Sequence, residues 1–325
     1  MLLSIIIPVY NTESFIERCI RSVVNQIKQY NDIELVVIDD GSTDSSYTIL
    51  ENLKAEYKNI KLFRHKNHGV GYTRNVGLEK SEGEYIWFID SDDYIDQGFI
   101  QKIHETLKNQ APDMVLFGYK RVTPEGDQVS ILKYEDNELT LSDIINKSIY
   151  SNSVCCKAIK TDIIKSNKIR FDLGVITAED FDFSFRSLYF SEKIITISDV
   201  GYNYVVNDNS VSNKRSKDHL EKLAIDTVKV TENIDFFLNL NETDFPGKKE
   251  AFKPWIDNFL YGLMFSLFRF KYNIRFIGEI VGLLKRNKHY PISTDKMNKK
   301  KRLFMKVANR KHLFLLACRV KRIVG

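Results

Sequence analysis

Leu3-Ser4-Ile5-Ile6-Ile7-Pro8-Val9 opens the chain as an apolar, largely β-branched run that stops at a proline. Such a run suits a strand buried on both faces of a parallel sheet. After the loop Tyr10-Asn11-Thr12, Ser14-x-x-Glu17 reads as a capping box, and Ile16, Ile20, Val23 and Val24 give the helical stripe behind it. Ile33–Ile38 predicts a second strand ending in Asp39-Asp40-Gly41-Ser42. Thr43 or Asp44 is expected to cap a helix through about Tyr57, with Ile49, Leu50 and Leu53 inward. Ile60–Phe63 predicts a third strand, Tyr72–Lys80 a short helix, Tyr85–Ile89 a fourth strand and Gln97–Lys108 the next helix. Strand and helix alternating four times mark a doubly wound α/β sheet.

Beyond Asp113 the pattern changes. Met114–Val122 and Gln128–Leu132 flank Thr123-Pro124-Glu125-Gly126-Asp127 as a hairpin. A helix over Leu141–Tyr150, a strand over Val154–Ile159 and a helix over Phe181–Phe190, opened by Ala178-Glu179-Asp180, come next. Ile194–Ile197 and Tyr202–Val206 read as two late strands. After about Ser216 the chain reads as helical, with interruptions at Pro246-Gly247, Pro254 and Pro291. The expected division is one domain over 1–215, with halves 1–112 and 113–215, followed by a helical region over 216–325.

Composition adds one asymmetry. The chain of 325 residues carries a net +5, yet residues 285–325 hold fourteen Lys or Arg against Asp295 alone, which leaves the first 284 residues at −8. A basic tail on an acidic body points to an anionic surface as partner. Arg302, Lys306 and Arg310 recur at helical spacing, Phe304, Val307 and Ala308 lie on another side, and Leu313–Cys318 with Val320, Ile323 and Val324 add apolar surface. This predicts an interfacial segment over 296–325 lying on an anionic membrane, or else a helix packed on the domain over 1–215. Nucleic acid is not expected, since few aromatics interleave with these charges. The stripe Phe259, Leu260, Leu263, Met264, Leu267 and Phe268 reads as core or as a homo-oligomer contact. The four cysteines form no C-x-x-C, and no secretory leader or membrane-spanning run is visible. The expected location is therefore the cytoplasm, with peripheral attachment to the inner membrane face.

The chemistry gathers where strands end. Asp90-Ser91-Asp92-Asp93 follows the fourth strand, and ligands of open α/β sheets bind outside the carboxyl ends of strands. Alternation lets Asp90 and Asp92 face the same way, as two oxygen ligands of a hard cation would. An acidic, solvated loop is the plainer alternative. Tyr10-Asn11 and Asp39-Asp40 end at the same edge. Together the three ends outline an aromatic face for a base, a carboxylate for its ring N–H and a metal site for a pyrophosphate. Neither G-x-G-x-x-G nor G-x-x-x-x-G-K-[ST] follows a strand.

The segments Ile7-Pro8-Val9-Tyr10-Asn11, Val37–Asp44, Thr73-Arg74-Asn75, Glu82–Tyr85, Phe88–Asp93 and Glu179-Asp180 resemble, in order and spacing, the inverting family-2 glycosyltransferases of the GT-A fold. The resemblance covers roughly the first 210 residues. It implies a Rossmann-like, mostly parallel sheet flanked by helices, with 1–215 as a catalytic domain, 1–112 its nucleotide-sugar half and 113–215 its acceptor half, and with a helical C-terminal extension. It also implies transfer of one sugar from a UDP-sugar, or a dTDP-sugar, to a glycan or polyprenyl-linked hydroxyl. Pro8, Val9 and Tyr10 would line the base pocket, with Asn11 and Glu13 beside it. Asp40 would accept from the uracil, next to Asp39. Arg74, Asn75 and Ser91 would lie near the sugar and phosphates, Asp90 and Asp92 would hold Mn²⁺ or Mg²⁺, and Asp93 would cap the next helix. Asp180 would be the general base, with Glu179 beside it. Where many relatives carry an Arg after the late tyrosines, Tyr202-Asn203-Tyr204 is followed by Val205-Val206, so either Lys157, Lys214 or Arg215 supplies that charge or donor phosphate binding is weaker. The competing readings are a sugar nucleotidylyltransferase, which needs a glycine-rich basic loop after the first strand, and a silent carbohydrate-binding scaffold.

Overall fold

The computed structural model describes every residue except 148, 150, 151, 207–215, 244, 246 and 325, and all described side chains except those of 146, 323 and 324. The N-terminal apolar run forms β1 (Leu3–Val9), buried throughout. It is followed by α1 (Ile16–Ile27), β2 (Ile33–Asp39), α2 (Ser46–Glu56), β3 (Ile60–Arg64), α3 (Val70–Lys80) and β4 (Tyr85–Phe88). These strands lie in the order β3-β2-β1-β4, all parallel. Pairing of β1 with β4 ends at Ile6↔Phe88, so Pro8, which has no N–H to give, sits beyond the last shared rung. Gly77 lets α3 settle on β1: a Cβ there would stand 2.4 Å from Ile6 Cγ2.

The sheet continues through β5 (Tyr94–Ile95), α4 (Phe99–Gln110), β6 (Met114–Val122), β7 (Gln128–Leu132), β8 (Asn137–Thr140), α5 (Leu141–Lys147), β9 (Lys157–Lys160), α6 (Thr161–Ser166), α7 (Glu179–Tyr189) and β10 (Lys193–Val205). From β4 the order runs β9-β6-β10-β5, with β7 beside β6 and β8 beside β10. This half is mixed: β9 is antiparallel to β4 and β6, whereas β10 is parallel to β6. The 114–132 hairpin has the expected ends, pairing Tyr119 with Leu132.

Several expectations are corrected. The capping box does not form. Phe15 occupies the cap position without a side-chain bond, and the first turn closes on the Thr12 carbonyl, because residues 12 and 13 are already tied to the loop after β2. Glu17 pairs instead with Arg21 at 2.9 Å. Asp44 does receive the Ser46 N–H at 2.9 Å ahead of α2. The two late strands are one, β10, bent by a register shift between Ile197 and Tyr202. Val154–Cys156 is a 3₁₀ turn preceding β9. The helix expected to Tyr150 is described to Lys147, and Tyr150 lies outside the described residues.

The C-terminal helices are α8 (Lys217–Asn241), α9 (Lys248–Arg269), α10 (Ile274–Arg286), α11 (Lys299–Ala308) and α12 (Lys311–Val324). Pro254 lies within α9 and does not end it, and Pro246 lies outside the described residues. Two compact units emerge. The first is Met1–Leu141, Ser151–Leu173 and Phe183–Ser210; the second is Ser142–Tyr150, Gly174–Asp182 and Val211–Gly325. In the second, the predicted stripe is mostly core: Leu260, Leu263, Met264 and Leu267 are buried, and Phe259 stacks on Phe181 with centroids 3.7 Å apart. No described helix is long and apolar enough to cross a membrane.

Candidate active site

Three strand ends of the first unit build the site. At the end of β1, Pro8 and Val9 are buried and Tyr10 is 46% exposed. Asn11 adopts a left-handed φ of +51°, a conformation asparagine tolerates better than most side chains. Its amide oxygen accepts the Thr43 N–H at 2.8 Å, and its own N–H donates to Ser42 Oγ at 3.1 Å. Thr12 N–H donates to Ser46 Oγ, Glu13 N–H to Asp44, and Ser45 N–H back to the Glu13 carboxylate. Residues 11–13 and 42–46 are thereby laced into one wall, and Asn11 and Glu13 spend their side chains on it.

At the end of β2, Asp39 is wholly buried, held by Arg64 Nε at 3.0 Å and by the Ser42 N–H. Asp40 accepts from the N–H groups of His68 at 2.8 Å and Gly69 at 2.9 Å, with His65 Nδ1 at 3.3 Å. Gly69, at φ +91°, is the residue from which α3 starts. Asp40 therefore fixes the entry to α3, with lone-pair capacity left on a carboxylate that has about four acceptor sites. Beside it, Gly41, Arg64, His65, Lys66 and Asn67 line a shallow cleft of about 450 Å³.

At the end of β4, Arg74 from α3 is buried and pairs with Asp90 Oδ1 at 3.0 Å, its guanidinium 5.3 Å from the Phe171 ring. Arg74 is thus an interior residue and not a surface one. Asn75 grips the Phe171 backbone through both amide atoms, at 2.9 and 3.0 Å. Phe171 in turn stacks on Phe183 at 4.2 Å. Asp93 caps no helix: it accepts the Tyr202 hydroxyl at 2.5 Å and the Val205 N–H at 2.8 Å. Burial, then the charges of Asp92 and Asp90, push its carboxyl well above the usual range. The Tyr202 oxygen also receives the Asp90 N–H at 3.3 Å, a link that sequence reasoning missed because those residues stand 112 apart.

Asp92 is half-buried and has no ion-pair partner among the described residues, while Ser91 is buried. Burial, then the Asp90 charge, push the Asp92 carboxyl up to about 6. Among the described residues no group of three His, Cys, Asp or Glu could cage a metal. Two hard carboxylates suit a cation that takes its remaining ligands from phosphates. Lys157 is buried and bonds Ser184 Oγ at 2.7 Å, which keeps its ammonium inside the fold; Lys214 and Arg215 lie outside the described residues. Glu179 and Asp180, both half-buried, open α7 and belong to the second unit.

An aromatic, acids and a buried arginine thus gather at the carboxyl edge of the parallel strands, the edge at which open α/β sheets bind their ligands. The glycosyl transferase family 2 model matches residues 4–167, and the chain belongs to that family. It is 33% identical over 222 residues to a poly(ribitol-phosphate) beta-glucosyltransferase of Bacillus spizizenii, covering 68% of this chain and 33% of that one. It is 34% identical over 216 residues to the poly(ribitol-phosphate) beta-N-acetylglucosaminyltransferase TarP of Staphylococcus aureus, covering 66% and 65%. The chain thus spans about a third and about two thirds of these relatives. The crystal structure of S. aureus TarS 1–349 in complex with UDP-GlcNAc has the same fold, with a TM-score of 0.62 at 24% identity over all of this chain and 93% of that one.

Proposed function

We propose that the chain is an inverting, metal-dependent glycosyltransferase. It moves one sugar from a UDP-sugar to a hydroxyl of a glycan or lipid-linked acceptor in bacterial surface polysaccharide synthesis. The observation that carries this reading is Asp92, a half-buried carboxylate beside Asp90 with no ion-pair partner among the described residues. Asp90 and Asp92 would hold Mn²⁺ or Mg²⁺, which supplies neutralisation of charge on a departing diphosphate. Tyr10 offers its ring to the base, and the remaining lone pairs of Asp40 accept the ring N–H. Arg74 orients Asp90 and adds positive potential on the phosphate side.

Asp180 takes the proton of the acceptor hydroxyl as that oxygen bonds the anomeric carbon and the diphosphate oxygen leaves from the opposite face. One displacement inverts the centre without a covalent enzyme intermediate. The relatives' names recommend poly(ribitol-phosphate) as the first acceptor to try. The laced N–H groups of residues 11–13 speak against a nucleotidylyltransferase, whose triphosphate would need such donors free.

The test is release of free nucleotide from a panel of UDP- and dTDP-sugars with Mn²⁺, Mg²⁺ or EDTA, with and without poly(ribitol-phosphate). Turnover of one donor, abolished by EDTA and by Asp92→Ala and reduced on the order of 10²–10⁴-fold by Asp180→Asn, is expected. Absence of both turnover and UDP binding would overturn the reading.

The tail is proposed to lie on an anionic membrane surface. Its apolar residues divide: Met305, Ala308, Phe314 and Cys318 are buried, while Leu303, Val307, Leu313, Leu316 and Val320 are exposed among Arg302, Lys306, Arg310, Arg319 and Lys321. That exposed set differs from the face expected over Phe304, Val307 and Ala308, and the side chains of Ile323 and Val324 lie outside those described. Charge complementarity favours a lipid surface over a second copy of the chain.

A further inference from the structure

We infer that Asp226, on α8, is a positioning residue for Glu179-Asp180, an inference that rests on the reading of Asp180 as the base. Asp226 has no solvent exposure. Its Oδ2 accepts the Ile176 N–H at 3.0 Å, the Thr177 N–H at 3.1 Å and the Thr177 hydroxyl at 3.1 Å. Its Oδ1 receives Lys222 Nζ at 2.5 Å, one helical turn earlier. One turn later, Lys229 Nζ donates to the Gly174 carbonyl at 2.9 Å. A single face of α8 therefore holds the backbone of 174–177, which leads directly into the acid pair, and every group named lies in the second unit.

The residue between this clamp and the acids is Ala178, at a φ of +68°. A side chain with a Cβ resists that left-handed conformation, and such residues persist only where their surroundings over-determine them. The over-determination is visible on both sides. Upstream is the Asp226 clamp. Downstream, the Ala178 carbonyl accepts the Phe181 N–H at 3.2 Å, and Phe181 stacks on Phe259 at 3.7 Å and meets the Trp255 ring edge-on at 5.3 Å. Glu179 and Asp180 are the two residues slung between these anchors. If the clamp is lost, Ala178 relaxes towards negative φ and the acids turn with it, while Phe181 stays. Misplacement of a reacting group by about 1 Å costs on the order of 10²-fold in rate.

The experiment compares full-length Asp226→Ala, Ala178→Gly, the double variant and Asp180→Asn. It uses UDP-glucose or UDP-GlcNAc as donor and poly(ribitol-phosphate) as acceptor. Asp226→Ala is expected to lower transfer kcat on the order of 10²-fold with the donor KM unchanged. Adding Ala178→Gly should recover several-fold of that loss, because glycine holds φ +68° without a clamp. A folded Asp226→Ala with kcat within twofold of the parent overturns the proposal. So does a loss shared equally by kcat, donor KM and melting temperature that Ala178→Gly leaves untouched, since that pattern is mere destabilisation. Full transfer by Asp180→Asn would instead overturn the base assignment itself.

Discussion

At the residue scale, Tyr202 anchors the acidic motif yet touches no ligand in the proposed reaction. The Tyr202 hydroxyl donates to Asp93 and receives the Asp90 N–H, so it ties the end of β4 to β10. Tyr202→Phe preserves the ring and removes both bonds. Leaving a buried acceptor and donor unsatisfied costs about 1–3 kcal/mol, expected as a fall of several degrees in melting temperature by differential scanning fluorimetry. Unchanged melting would mean that neither bond contributes. Legibility differs sharply here. Asp90 and Asp92 could be read because acids after an apolar run sit at a strand's carboxyl end. The duties of Asp39, Asn75 and Lys157 could not, because a side chain's partners depend on what another segment brings: Arg64, Phe171 and Ser184 respectively.

At the scale of elements, the sheet has a stabilising end opposite its chemical one. Glu34, near the start of β2, accepts from Ser4 Oγ, from the Glu82 N–H at 2.7 Å and from Lys61 Nζ at 2.7 Å. Burial raises its carboxyl, but the bonds from Lys61, Ser4 and Glu82 outweigh that and the net shift is downward. A carboxylate held lower in the folded state than in the unfolded one adds stability above the unfolded value, about 4.3 for Glu, and loses it as pH falls through the folded value. Melting temperature should therefore drop between about pH 4.3 and lower values. Glu34→Gln should start lower at neutral pH and lose less on acidification; parallel curves would contradict the assignment. The long strands, α1 to α4 and the 114–132 hairpin were legible because their hydrophobic periods run for several residues. Strands β5 and β8, two and four residues long, carry no period, and β10 was divided in the reading because its bend breaks the alternation.

At the scale of the whole molecule, charge is the organising variable. The +13 of residues 285–325 against −8 elsewhere predicts binding to vesicles of phosphatidylglycerol, weakening as salt shortens the Debye length from about 10 Å at 0.1 M to about 3 Å at 1 M. Leu313→Glu with Leu316→Glu should abolish co-sedimentation while nucleotide release continues. Equal binding to phosphatidylcholine vesicles, or none to either, would contradict the proposed surface, and a sedimentation shift of the free protein would identify a second copy as the occupant. The tail's basic character was legible, but which apolar residues stay outside was decided by packing of Phe314 and Cys318, which composition does not reveal.

The lacing of residues 11–13 to 42–46 has a consequence for how such an enzyme diversifies. Its bonds run largely between backbone N–H groups and short side chains, and Tyr10 stands outside them. The ordering entropy of that wall is settled during folding, so an arriving nucleotide meets a surface that is already set. Under the proposed function, substitutions that retune the sugar or the acceptor can then accumulate in other segments without reopening the wall against which the base would lie. On that proposed function, a lineage built on this scaffold is free to change what it transfers while keeping the handle by which it holds its donors.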